Sequence, residues 1–305
     1  MERVETDRDA GTGRVISPEP GLRRVRADNP SPMTHTGTNS YILGQGEVAV
    51  IDPGPALPGH LDAILGALAP GERIGAILVT HSHLDHSPLA RPLAERTGAP
   101  ILAAGPSDWG RSGTMEALAR SGLAGGGEGV DPDFTPDRRV ADGETLAGDW
   151  GEIEVIATPG HMANHISFSW HGMLFSGDMV MGWSTSLVSP PDGDMGAFMS
   201  SMARLASRSD RIHYPGHGAP VETPAARVAD LIAHRQGREA QIARALERHG
   251  PDTAAGLAAR IYTEIDPRLL PAAERNVLAH LIDMAEKTLA RPEGELSATA
   301  RFQLA

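Results

Sequence analysis

Seven residues, Thr80-His81-Ser82-His83-Leu84-Asp85-His86, constrain this chain more than any other stretch. They follow an apolar run, Ile74 to Val79, that reads as a buried strand. They lead into a helix expected to open with Ser87 as cap and Pro88 in its first turn. Three imidazoles and a carboxylate crowded into the turn after a strand leave little room for a core role. His81 and His83 flank Ser82, two positions apart, so in extended chain their side chains leave on the same side. Asp85 and His86 lie past the bend and aim elsewhere. Two groups of ligand-type side chains leaving one loop point to two cations side by side. The plain alternative is a polar loop that happens to be rich in His, and similar residues at later strand ends weigh against it.

Composition decides what can bind there. The 305 residues include no cysteine, so disulfides and thiolate ligands are excluded and any metal must rest on His and carboxylate. Redox compartment is lost as a clue for the same reason. A chain of this length exceeds what one compact core usually serves, and two domains are expected. Hydrophobic residues make up 40% and mean hydropathy is −0.22, the balance of an ordinary globular protein. Met1 to Ala10 is charged and lacks the apolar centre of a signal peptide. No run reaches the roughly 18 apolar residues of a spanning helix, so a cytoplasmic protein without membrane contact is expected. The formal net charge of −12 lies before residue 225, because from Ala225 onward 11 basic and 11 acidic side chains cancel. An acidic body repels a phosphate backbone, although bound divalent cations offset this locally.

Taken in order, the first 30 residues are a polar, Pro-rich lead-in with one short strand around Leu22 to Val25. Asn39 to Leu43 and Glu47 to Asp52 form a hairpin through Gly44-Gln45-Gly46. A helix over His60 to Ala69 follows, with His60 at the surface, then the histidine loop, a helix to Thr97 and a strand at Pro100 to Ala103. This alternation means an α/β sandwich. Ser107 to Gly129 holds a helical piece, Thr114 to Arg120, that runs into Gly125-Gly126-Gly127. The segment 107–131 reads either as a surface insertion or as a mobile flap. Glu152 to Thr158 is a strand ending on Pro159-Gly160-His161. Ile166 to Trp170 and Met173 to Ser176 form a hairpin that delivers Asp178, with His171 solvent-facing in its turn. Asp194 caps a helix with Phe198, Met202 and Leu205 on one face. Arg211 to Tyr214 is a last strand that deposits His217, and His213 inside it is core or edge, not a ligand.

The pattern His81-x-His83-x-Asp85-His86 resembles the signature of the metallo-β-lactamase superfamily. Thr158-Pro159-Gly160-His161, Phe175-Ser176-Gly177-Asp178 and Tyr214-Pro215-Gly216-His217-Gly218 strengthen the likeness, in the family's order. Thr38-Asn39-Ser40-Tyr41 and Ile51-Asp52-Pro53-Gly54 match its opening strands. The resemblance covers about residues 30 to 220 and implies an α/β, αββα metallo-β-lactamase sandwich. From Thr223 the pattern turns helical. Thr223-Pro224 starts one helix, Thr253 caps a second, and Pro271 opens a third with Leu278, Leu281, Ile282, Ala285 and Leu289 in one stripe. Arg291 to Gly294 and Ser297 to Leu304 read as a short wing. This tail is similar to the branch that includes the lactamase-like endoribonuclease and bacterial hydrolase relatives. The expected division is a catalytic domain, 1–222, and a small helical winged-helix-like domain, 223–305. Its zero net charge reads as a solvated face, and a packing module closing one wall of the active site is favoured over a nucleic-acid binder.

The resemblance implies a ligand set without departures: His81, His83 and His161 on one cation, Asp85, His86 and His217 on a second, Asp178 between them. Two zinc ions per chain are expected, with manganese or iron possible at the carboxylate-richer second site. The implied chemistry is a water activated between two cations about 3.5–4 Å apart, with Asp85 able to hold or accept its proton. His165, four residues after His161, reads as a group that orients Asp178 or a ligand ring; a helical zinc pair with His161, a substrate contact and a general acid are the alternatives. Asp52 is expected to support the histidine loop. Trp183, Ser184 and Thr185 are the candidate substrate contacts. His35, His234, His249 and His280 default to structure or surface.

Two functions compete. Hydrolysis of a small ester, thioester or lactone is favoured by the acidic body and by an aromatic content of only 4%. Single-stranded RNA cleavage is favoured only by the tail, so nucleic acid is disfavoured as a partner. Low-level β-lactam hydrolysis is a further alternative, although the lack of a cysteine ligand argues against a dedicated lactamase. A metal-dependent scaffold without activity is the weakest reading.

Overall fold

A computed structural model describes residues 13–125 and 129–305. The expectations for Met1 to Ala10 and for Gly126-Gly127 lie outside the described residues. A first mixed sheet runs in chain order through β1 (Val15–Glu19), β2 (Leu22–Arg26), β3 (Asn39–Leu43), β4 (Glu47–Ile51), β5 (Arg73–Leu78), β6 (Ile101–Ala103) and β7 (Arg138–Arg139). A second holds β8 (Thr145–Gly148), β9 (Gly151–Ala157), β10 (Ile166–Trp170), β11 (Met173–Gly177) and β12 (Ile212–Pro215) in the order β12-β11-β10-β9-β8.

Period-two alternation sorts the side chains into layers. In β4, Ala49 and Ile51 face the second sheet, where Val155, Phe168 and Phe175 meet them. Val48 and Val50 face outward, onto α1 (Pro58–Gly66) and α2 (Ala90–Thr97). The outer face of the second sheet, through Ile156 and Leu174, is covered by Phe198 and Met202 of α4 (Met195–Ala206) and by Val228 and Leu231 of α5 (Pro224–His249). Helices thus cover both outer faces of two stacked sheets, the αββα arrangement. Between β6 and β7 lies α3 (Gly113–Arg120).

A smaller core follows. The second half of α5 (Ile242, Leu246) packs with α6 (Ala254–Ile261) and α7 (Leu270–Glu286), and a three-stranded sheet of β13 (Asp252–Thr253), β14 (Ala290–Pro292) and β15 (Arg301–Leu304) adds Phe302. The tail is thus a winged-helix unit whose hairpin is β14 and β15. Because α5 contributes to both cores, the two units are packed as well as joined. The division expected between 222 and 223 falls just before this shared helix.

Several local expectations are corrected. Helix α2 begins at Ala90 rather than Ser87, because the Ser87 hydroxyl is engaged by the His83 carbonyl and the Asp131 carboxylate. His60 is buried at 4% exposure, with its Nε2 2.8 Å from the Ser40 hydroxyl. Leu289 falls outside α7 and is exposed, since the chain turns at Thr288, whose φ is 58°. The two-residue β7 and the exposed edge strand β1, with Pro18 inside it, carry too weak a pattern to read.

Candidate metal centre

Five chain segments end at one rim of the sandwich, just past the C-terminal ends of β4, β5, β9, β11 and β12. They bring Asp52, the 80–86 loop, His161, Asp178 and His217 together. Sutures between the sheets fix this rim: Ile166 N–H donates to Thr80 O at 2.8 Å, and Asn39 N–H to Gly216 O at 2.8 Å. Asn39 Nδ2 also holds Pro215 O and Gly218 O at 3.1 and 2.9 Å. Gly216 must be glycine, because a Cβ there would lie 2.5 Å from Asp178 Oδ1 and 2.6 Å from His86 Cε1.

Three overlapping groups each hold ligand atoms within 4.8 Å of one another: His81, His83, His161; His81, His86, Asp178; and Asp85, His86, His217. Asp178 spans them. Its Oδ1 lies 3.5 Å from His86 Nε2, and its Oδ2 lies 3.6 Å from His161 Nε2 and 3.4 Å from His217 Nε2. All seven side chains are buried.

Hydrogen bonds behind the rings decide which nitrogen faces inward. His161 Nδ1 donates to Leu187 O at 2.6 Å, leaving Nε2 bare toward the centre. Thr80 Oγ1 donates to Asp52 Oδ2, so it accepts from His81 Nδ1, and His81 Nε2 is bare as well. Both bare nitrogens lie 3.0 Å from His83 Nδ1, a contact that one proton cannot satisfy twice. His86 Nδ1 donates to Asp52 Oδ2 at 3.0 Å and His217 Nδ1 to Gly37 O at 3.4 Å, which turns their Nε2 atoms toward each other and toward Asp85. Converging lone pairs and two buried carboxylates are a donor set that fits cations. Asp178 Oδ1, buried with no hydrogen-bond partner, fits the same demand.

The electrostatics agree. Burial, reinforced by neighbouring imidazoles, pushes His81 well below its ordinary pKa and His83 down to about 3, so both stay neutral. Burial acts the same way on His86 and His217, but Asp85 and Asp178 outweigh it, raising His86 strongly and His217 to about 10. This end of the site demands positive charge, which divalent cations supply.

Behind the cluster, Asp178 N–H donates to His165 Nε2 at 3.2 Å, and Thr158 Oγ1 lies 2.9 Å from His165 Nδ1. His165 is 1% exposed and does not line the cavity. It belongs to none of the three donor groups, so it makes no pair with His161. Asp52 lies behind the histidine loop, as expected, accepting from Thr80 N–H, Thr80 Oγ1 and His86 Nδ1.

A cavity of about 240 Å³ opens over the cluster, lined by His83, Asp85, His161, Asp178 and His217. Trp183, Ser184 and Thr185 line it too, Trp183 stacked on His35 at 4.7 Å. The winged-helix unit and α5 supply its far wall, including Arg235, Tyr262, Leu269 and Asn276. Nothing in sequence distinguished Arg235 from the charged surface of α5. Among the described residues none of 107–131 lines this cavity. Instead Met115 and Leu118 of α3 pack into the small core and Arg275 holds Ala124 O, so the described part of the segment ties the two units together, while Leu84 N–H on Gly129 O and Asp131 N–H on Ser82 O seat its end against the histidine loop. The neutral tail conceals a basic groove, where Arg238, Arg244, Arg248, His249 and Arg260 lie together between α5 and α6. Among the described residues no helix is long and apolar enough to cross a membrane.

Comparison with known proteins matches residues 33–217 to the family described as the Metallo-beta-lactamase superfamily, and residues 253–298 to the Beta-lactamase associated winged helix domain. The Beta-lactamase-like protein 2 homolog of Caenorhabditis elegans is 28% identical, covering 84% of this chain and 81% of its own. An Atrochrysone carboxyl ACP thioesterase of Aspergillus fumigatus is 31% identical over 76% of this chain and 66% of its own. A Lactamase-like protein, nscB, of Trichophyton rubrum is 30% identical over 75% of this chain, which spans only 64% of that relative's length. Among solved structures, a metallo-beta-lactamase family protein from Thermus thermophilus superposes with a TM-score of 0.75 at 25% identity, covering 95% of this chain and 100% of that one. A protein solved in a di-iron-bound form matches with a TM-score of 0.50 at 28% identity, over 67% of this chain and 97% of its own.

Proposed function

The chain belongs to the metallo-β-lactamase superfamily, and on that premise we propose that it is a metal-dependent hydrolase that cleaves a small thioester or ester at a dinuclear zinc site. The observation that carries this reading is the cavity. At about 240 Å³, with the cluster at one end and apolar side chains such as Met33, Met181 and Leu187 along its walls, it suits a compact acyl group. A relative whose name is that of a thioesterase supports the same choice.

We assign His81, His83 and His161 to one cation, Asp85, His86 and His217 to the other, and Asp178 to both. Zinc is chosen for the imidazole-rich first group, and iron or manganese remains the alternative at the second. When bound, the pair supplies an activated water and a Lewis acid for the scissile carbonyl. The chain's own residues do the rest. Asp85 lines the cavity, so its carboxylate would be placed to accept a proton from a water held there. His165 acts as a positioning residue: it accepts from Asp178 N–H and fixes where that carboxylate stands. Trp183, Ser184 and Thr185 border the acyl group.

One observation favours a second reading, single-stranded RNA cleavage. The basic groove adjoins the cavity through Tyr262, whose ring carries Arg238 at 3.9 Å. Zinc-loaded protein should therefore be given a panel of acyl thioesters, lactones and nitrocefin beside a labelled single-stranded RNA. Thioester turnover abolished by a chelator, restored by zinc and lost in Asp85→Ala is the expected result. Clean RNA cleavage lost in the same variant, with thioesters untouched, would reverse the ranking.

A further inference from the structure

The far wall of the metal cavity holds a cation that the hydrolytic reading leaves unused. Arg235, on α5, is 2% exposed and lines the same cavity as Asp85 and Asp178. Its guanidinium donates only to neutral acceptors, Asn276 Oδ1 at 3.0 Å and the Ser186 carbonyl. Its Nε is buried without a partner. Among the described residues no carboxylate forms an ion pair with it. Burial lowers its pKa to about 10, so it is charged at neutral pH. A buried guanidinium with no counter-ion is costly to keep, and a fixed fork of donors in a ligand cavity is the usual receptor for a planar anion.

We propose that Arg235 binds a carboxylate at the distal end of the acyl substrate, so that this hydrolase acts on acyl compounds that carry a second acidic group. The proposal names the substrate class of the reading above and rests on it. The occupant is a carboxylate rather than a phosphate because the wall offers one positive charge. His234, beside it, is held below its ordinary pKa by burial and by Arg235 and Arg238, and contributes none. A dianion would keep an uncompensated charge between apolar walls.

A positioning role is the competing explanation. Arg235 holds Ser186 and Asn276 Oδ1 holds Val188 N–H at 3.1 Å, and between them Leu187 O fixes His161. Titration calorimetry on the zinc-loaded full chain separates the two. The ligands are dicarboxylates from succinate to suberate, each paired with the monocarboxylate of equal carbon number. At the best length the dicarboxylate should bind about tenfold tighter or more, as one charge-assisted contact allows. Arg235→Gln should erase that preference at unchanged zinc content, and Arg235→Lys, which keeps the charge but not the fork, should weaken the dicarboxylates alone. Absence of any preference in the native chain overturns the proposal, as does a preference that survives Arg235→Gln. Parallel loss of zinc and of both ligand series would mean that Arg235 only positions His161. Thioester hydrolysis is scored separately, so preferential binding without turnover sinks the reaction assigned above and leaves the subsite standing.

Discussion

Asp52 never faces the cavity, yet it organises the metal centre from behind. One carboxylate oxygen accepts from Thr80 N–H and the other from Thr80 Oγ1 and His86 Nδ1, at 2.8 to 3.0 Å. It does so with φ at 49°, a left-handed conformation that Asp and Asn tolerate better than other side chains. Asp52→Asn therefore keeps the backbone and removes the charge, and it turns one acceptor into a donor facing donors. Metal affinity should fall about 10- to 100-fold, the usual effect of losing such a support, while the circular dichroism spectrum stays native. Competition with a chromogenic chelator measures it, and unchanged affinity would show that His86 needs no orienting partner. At this scale the sequence was most legible where chemistry is unusual for a loop, as at His81 to His86. It was least legible where context decides. His60 looks like a surface residue until the chain folds Gly54 and Ser40 against its ring, and Arg235 looks like any charge on a long helix.

Among the elements, α4 shows how a readable signal serves the site. Asp194 accepts from Ala197 N–H at 3.0 Å as N-cap, and its own N–H donates to Gly160 O at 2.9 Å. The helix seats Phe198 against Gly160, where any Cβ would meet Phe198 Cα at 2.3 Å, and so presses on the turn that presents His161. Asp194→Ala should cost about 1–2 kcal/mol in denaturant unfolding, while Asp194→Asn, also a good cap, should cost much less. Equal losses would mean that the charge facing Ser112 Oγ, not the cap, is what matters. Asp194, Thr253 and the hairpin of β10 and β11 were legible because caps and turns are local. The start of α2 was not, because Asp131, 44 residues away, competes for the Ser87 hydroxyl. Long-range partners of that kind leave no mark in a window of sequence.

The whole molecule is two cores meeting along α5 and α7; that the tail closes one wall of the site was legible, but the helices that carry the seam were not. Sequence divides the chain before α5, whereas packing places Val228 and Leu231 in one core, Ile242 and Leu246 in the other, and Ala279 of α7 beside the first pair. His280 lies in this seam, 1% exposed, with neither ring nitrogen hydrogen-bonded among the described residues. Burial, helped by Arg235 and Arg238, pushes its pKa down to about 3. In the unfolded chain it titrates near 6.5. Between those values the unfolded chain binds a proton that the folded chain refuses, so stability is intact above about pH 6.5 and declines as pH falls toward 3. His280→Leu removes this dependence while keeping the site apolar and filled. At pH 5 the native chain should have lost about 2 kcal/mol more than the variant, relative to pH 7.5. Urea unfolding of both proteins at the two pH values measures the difference, and contributions from His60, His213 and the metal cluster cancel between them. If the two proteins lose stability in parallel, His280 is reached by solvent or by a partner, and the seam is looser than its packing shows.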